Sequence, residues 1–195
     1  MSAFFANPFA KGQYEYFAAR KRQQLRITLV FVFFVAAFVA AGLIVFGNTK
    51  NLLTIPGVLL VLPMANFFVT YLALVKGKEL GEEKRAQVRV FEDNGLALYH
   101  LMYVDEKGKR HFLDHTVVYQ NAIVAYASTV KAEERVPLES DCIVRLKKKN
   151  INLRLKVYTE WEAYLARLAE IEPEVPEDQV KLVEKAQEVL LGMCL

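Results

Sequence analysis

Two uncharged apolar runs, separated by a single lysine, constrain this chain more than anything else in it. Residues 27–49 and 51–75 contain no Asp, Glu, Lys or Arg, and only Lys50 stands between them. The charged residues crowd into 11–26 and 76–195, a segregation that a soluble core seldom produces. A helix needs about 20 apolar residues to cross about 30 Å of hydrocarbon. Ile27–Phe46 and Leu52–Val75 both meet that length. The link GNTKN (47–51) is short, so the two helices are expected to be antiparallel neighbours. A cleaved signal peptide is not expected: the first run is too long and an amphiphilic segment precedes it.

Orientation follows from the basic residues. Lys11, Arg20, Lys21, Arg22 and Arg26 precede the first run, and Lys76, Lys78, Lys84, Arg85 and Arg89 follow the second. One lysine lies in the loop. The positive-inside rule therefore predicts a multi-pass protein of the cytoplasmic (inner) membrane with both termini cytoplasmic. Arg20, Lys21, Arg22, Arg26, Lys76 and Lys78 are the expected membrane-surface residues. The basic balance belongs to these flanks, so no nucleic-acid partner is expected. Pro63 and Asn66 fall mid-span; the plainer reading is a kinked helix with Asn66 bonded to its neighbour. Tyr14, Phe17, Lys21 and Leu25 keep a near-helical step, which predicts an amphipathic helix at the surface or one continuous with the first span.

The expected fold is a membrane α-helical hairpin plus a cytoplasmic α/β domain. Its parts are a juxtamembrane segment (1–26), the hairpin (27–75, spans 27–46 and 52–75) and the domain (76–195). A helix over 76–93 should stop at Asn94-Gly95. Strands are predicted over 96–104, 111–119, 122–129 and 153–158, with Gln120-Asn121 as a tight turn. Leu138, Cys142, Ile143 and Leu146 make a helical stripe, with Pro137 in its first turn, so 135–150 reads as helix rather than strand. Thr159-Glu-Trp-Glu162 has the spacing of a capping box opening a helix to Ile171. Glu177–Leu191 closes the chain with Val180, Val183 and Leu190 facing inward, and Leu191 and Met193 just beyond. The soluble order is α-β-β-β-α-β-α with a closing helix.

GNTKNLLTIPGVLLVLP (47–63), LKKKNINLRLKVYTEWEAYLARL (146–168) and KGQYEYFAARKRQQL (11–25) together resemble an uncharacterised family of small bacterial two-span membrane proteins. That resemblance implies anchoring and carries no activity. The order α-β-β-β-α-β also resembles restriction-endonuclease-like folds, including nuclease-related domains. In those, an Asp on the second strand and a Glu-x-Lys on the third bind a divalent metal. HFLDHTVVYQNAIVAYAST (111–129) places Asp114 at the first acid, but Tyr126-Ala127-Ser128 stands where Glu-x-Lys belongs. The resemblance then implies a nuclease site that is dead.

Other chemistry is thin. Asp114, His111, His115 and His100 form a candidate metal cluster, because the first hairpin brings residues near 100 and 114 side by side. Hydrogen-bonded core histidines are the plainer reading, and no cofactor is expected. The two cysteines, Cys142 and Cys194, lack any paired spacing, which suits a reducing compartment. Lys147, Lys148 and Lys149 suit a helix C-terminus or a lipid or partner contact. The function that follows is a membrane-anchored interaction or scaffold module without catalytic activity. Its partners would be the lipid bilayer and either a second copy or another membrane protein. Two alternatives stand beside it. One is a divergent nuclease-like or metal-dependent hydrolase around Asp114. The other is a lipid-sensing pleckstrin-homology-like domain, which requires 138–149 to be a strand.

Overall fold

The structure, a computed structural model, describes residues 7–48, 51–120 and 122–194. The chain divides into two compact units, one built on Glu15–Lys76 and the other on Lys11–Tyr14 with the residues from Gly77 onward.

The first unit is a helical hairpin. Helix α1 (Tyr14–Phe46) is continuous, so the amphipathic segment runs straight into the first apolar run. Helix α2 spans Thr54–Val75, about 33 Å at the helical rise. Both helices are long and apolar enough to cross a membrane. They pack antiparallel: Phe31 stacks on Phe67 with ring centroids 5.7 Å apart. A Cβ on Gly57 would lie 3.4 Å from the Phe38 Cβ, and one on Gly42 only 2.6 Å from the Asn51 amide, so glycine sets the approach at both levels. The Asn51 carboxamide also accepts from the Thr54 N–H at 3.1 Å, starting α2. Thr49 and Lys50 of the expected turn lie outside the described residues. Asn66 is exposed rather than turned toward α1, because the contact line runs through Phe67, Gly57 and Asn51.

The second unit is an α/β domain in the order expected. After helix α3 (Glu82–Asp93) come strands β1 (Ala97–Val104), β2 (Arg110–Tyr119) and β3 (Ala122–Tyr126). Helix α4 (Ala132–Lys148), strand β4 (Arg154–Tyr158) and helix α5 (Trp161–Leu168) follow. A 3-10 turn (Glu177–Gln179) leads into helix α6 (Val180–Met193). The sheet runs β1-β2-β3-β4. The first three strands are antiparallel and β4 lies parallel to β3, with α4 as the crossover. Asn121, half of the predicted tight turn, lies outside the described residues.

Two helices end by the same device. Gly95 (φ 71) follows α3, with the Leu96 N–H bonded to the Phe91 carbonyl at 2.9 Å and the Gly95 N–H to Glu92 at 3.0 Å. After α4, Asn150 (φ 59) plays the glycine's part: Ile151 N–H reaches the Leu146 carbonyl at 3.0 Å and Asn150 N–H reaches Lys147 at 2.9 Å. Both are Schellman closures that satisfy the orphan carbonyls and fold one apolar residue back onto the helix.

Helix α3 packs on β1, α5 on β3 and β4, α4 on β4, and α6 on β1 and β2. Val88, Leu101, Ile123, Leu146 and Tyr164 lie at the centre of the core.

Several expected boundaries moved. Helix α3 begins at Glu82, not at 76, because Gly81 is its extended N-cap (ψ 153). Strand β3 stops at Tyr126, three residues early, where the chain turns toward Ser128. The capping box does not form: Glu160, not Thr159, is the N-cap of α5, and no side chain caps it. Pro137 sits well inside α4 rather than in its first turn. Residues 138–148 are helical, which removes the strand that a pleckstrin-homology-like reading requires.

Candidate functional site

Three buried polar residues of the domain follow one another in the middle of β2. Asp114, His115 and Thr116 are consecutive and almost fully buried. Burying three polar side chains in a row on a central strand is costly unless each is bonded. Only part of that bonding exists among the described residues: Asp114 Oδ1, His115 Nε2 and Thr116 Oγ1 have no hydrogen-bond partner there.

Asp114 meets the end of β3. Its Oδ2 accepts the Ser128 backbone N–H at 2.6 Å. Burial raises the carboxyl's pKa; the Ser128 hydrogen bonds and the positive charges of Lys84 and Lys78 oppose the rise. A buried carboxyl with a raised pKa is the type of group that catalytic sites use, and that polar cores also contain. His115 serves a different set of neighbours. Its Nδ1 lies 2.6 Å from the Tyr164 hydroxyl of α5, and the Tyr99 ring lies 4.7 Å away by centroids. Burial, with a smaller contribution from His100, lowers its pKa to about 3, so the imidazole is neutral. Burial likewise holds the Tyr164 hydroxyl protonated.

An aromatic wall adjoins this strand. The Tyr126 ring packs edge-on against Trp161 (4.9 Å) and beside Tyr164 (5.7 Å). Lys84, from α3, sets its ammonium over both Tyr126 (5.0 Å) and Trp161 (4.8 Å), and donates to the Tyr126 hydroxyl at 3.2 Å. This cation–π clamp pins α3 to α5 across the sheet end. On the other side of α3, Arg85 forms a two-pronged pair with Glu92 at 2.8 and 3.2 Å and lies over the Tyr14 ring. The Arg85 hydrogen bond holds Glu92 below the usual carboxylate range.

The candidate metal cluster of Asp114, His111, His115 and His100, the less favoured reading of the sequence, is not assembled among the described residues. Among the described residues no group of three or more His, Cys, Asp or Glu side chains is placed to hold a metal. His111 bonds Asp105 in the β1–β2 turn at 3.0 Å, His115 bonds Tyr164, and Asp114 bonds Ser128. The reason lies in the partners: each side chain is claimed by a different element. His100 sits beside Tyr14 and Tyr99 at a left-handed position (φ 51), where the β1–β2 pairing skips one step.

Sequence reasoning reached Asp114 and His115 but missed Lys84, Tyr126 and the Trp161–Tyr164 pair as one cluster. The i, i+3 spacing of the two aromatics was visible; their meeting with a lysine 77 residues away from Trp161 was not. No protein-family model matches the chain, and neither a curated protein nor a solved structure matches it.

Proposed function

We propose that this chain is a module of the cytoplasmic membrane, anchored by the α1–α2 hairpin with both termini on the cytoplasmic side, whose α/β domain binds a partner rather than catalysing a reaction. One observation carries the anchoring: the hairpin's outer surface is apolar and uncovered. Phe33 is 68% exposed, Leu62 73% and Ile44 84%, within runs that hold no charge. A patch of that extent is not stable in water. The count of basic residues on either flank supports the orientation.

The binding reading rests on β2 and β3. If the domain is of the restriction-endonuclease-like type, its catalytic strand carries Tyr126 packed into an aromatic wall and Ser128 bonded to Asp114. Neither supplies a second carboxylate or a water-orienting lysine. Single cysteines placed at Asn48 and Glu177, in a chain with Cys142 and Cys194 replaced, test the topology. An impermeant thiol reagent on whole cells should modify the first and spare the second; the reverse pattern overturns the orientation. Crosslinking in membranes should then recover a defined partner or a self-complex, and monomers alone would count against the module.

The buried Asp114 carboxyl favours the second reading, a hydrolase of divergent type. A metal-dependent activity of the purified chain that disappears in Asp114→Asn would establish it.

A further inference from the structure

We infer that the corner between α4 and β4 is a docking surface for anionic lipid headgroups, an inference that rests on the anchoring proposed above. From Arg145 to Lys156 the chain carries six cations, Arg145, Lys147, Lys148, Lys149, Arg154 and Lys156, with no Asp or Glu among them. The fold concentrates them. The closure at Asn150 tucks Leu146 and Ile151 into the core and leaves the three lysines outside the corner. Burial alternates along β4, so Leu155 and Val157 point inward while Arg154 and Lys156 face solvent. Among the described residues two of the six form ion pairs: Arg145 with Asp141 at 3.4 Å and Lys156 with Glu139 at 3.9 Å. Lys147, Lys148, Lys149 and Arg154 enter no ion pair among the described residues.

A helix C-terminus attracts cations and so accounts for the lysines on α4. It does not account for Arg154 and Lys156, which stand on a strand. The remainder of the domain is opposite in sign. Residues 160–188 hold nine acids against Arg167, Lys181 and Lys185. A negatively charged surface therefore attracts one part of the domain and repels another, which orients it.

Lipid is the favoured occupant because of chain length. Only residues 76–81 separate α2 from α3. Fully extended, such a link reaches about 20 Å, so on an anchored hairpin the start of α3 stays within about two to three Debye lengths of the headgroups and tethers the domain beside the lipid. A nucleic acid entering that zone is repelled by the same lipids that attract the lysines.

The test is lysine footprinting on the full chain, reconstituted into nanodiscs of phosphatidylcholine alone or with phosphatidylglycerol added. Acetylation is read by mass spectrometry, with Lys181 and Lys185 as internal controls. Lys147, Lys148 and Lys149 should be modified about fivefold more slowly in anionic discs, the factor equivalent to about 1 kcal/mol per basic side chain at such a surface. High salt should remove the difference, and the controls should not change. Equal modification in the two discs overturns the inference while leaving the anchoring intact. Protection in both discs alike, together with salt-sensitive dimers, assigns the surface to the acidic segment of a second copy and overturns it. Equal protection by duplex DNA in phosphatidylcholine discs overturns it in favour of nucleic acid. A chain that stays out of the discs overturns the anchoring reading first, and this inference with it.

Discussion

His115 should make the domain acid-sensitive, and the size of the effect follows from its burial. The imidazole is fully enclosed against Tyr99 and Tyr164, and its pKa is lowered to about 3 from the ordinary 6.5. The unfolded chain takes up the proton below about pH 6.5, and the folded chain refuses it until about pH 3. Between those values the unfolded state binds more protons, so stability falls as the pH falls. At pH 4.5 the loss relative to pH 7.5 is about 3 kcal/mol, reaching about 4 kcal/mol at pH 3. Trp161, the only tryptophan, packs 4.9 Å from Tyr126 and 5.6 Å from Tyr164, so its fluorescence reports on this part of the core. Denaturant titrations of the full chain in mild detergent, from pH 7.5 to 4.5, should show the midpoint falling steeply for the natural sequence. In His115→Leu/Tyr164→Phe, which removes both partners of the buried bond, the slope should be much shallower. Carboxylates such as Glu92 contribute the slope that remains, because their pKa is lowered and their stabilisation is also lost in acid. Equal slopes in the two proteins would refute the reasoning.

Asp114 should behave in the opposite sense. Its folded pKa is raised, so ionisation costs stability as the pH rises through it; Asp114→Asn keeps an acceptor for the Ser128 N–H. That variant should have the higher denaturation midpoint at pH 8, with the gap narrowing toward pH 4. Gly12→Val should destabilise the domain by about 1–3 kcal/mol, because Gly12 sits at φ 91 with a Cβ position 2.9 Å from Leu98. Amide exchange should locate the damage at Tyr99, whose N–H bonds the Gly12 carbonyl. Leu190→Ala, at a site 2% exposed, should cost about 2–5 kcal/mol in thermal or denaturant unfolding. Cys142 and Cys194 are both buried, and burial pushes each thiol up to about 12. Neither should react with iodoacetamide at pH 8 until denaturant is added.

The elements were legible where one physical signal decided each. Periodicity and the Asn94-Gly95 stop placed α3's end, and the β-rich runs bounded by turn residues placed β1 and β2 within a residue. Boundaries failed where local chemistry had competitors. The Thr159 spacing suggested a cap, yet the chain turns one residue later because Tyr158 and Ala127 are still paired across β4 and β3. The site was legible only as a set of reactive residues. Whether Asp114, His111 and His115 converge depends on which elements reach them from far along the chain. Tyr164 is 49 residues from His115, and no local pattern records that meeting.

The sheet's edges bear on how such a domain meets a partner. An exposed edge strand invites pairing with another chain. Here both edges are engaged in part from within. On β1, Tyr99 N–H bonds the Gly12 carbonyl at 2.7 Å and Tyr103 bridges to Cys194. Lys11 bonds the carbonyls of Leu191 and Cys194, holding the two covering segments together. On β4, the outward Val157 N–H is taken by the Glu139 carboxylate of α4 at 2.8 Å. Strand addition at either edge must first displace these contacts, and at Gly12 the close fit against Leu98 and Leu191 makes displacement costly. Under the binding reading proposed above, side-chain surfaces are then the more open to a partner, and Lys147, Lys148 and Lys149 at the end of α4, which enter no ion pair among the described residues, form one of them.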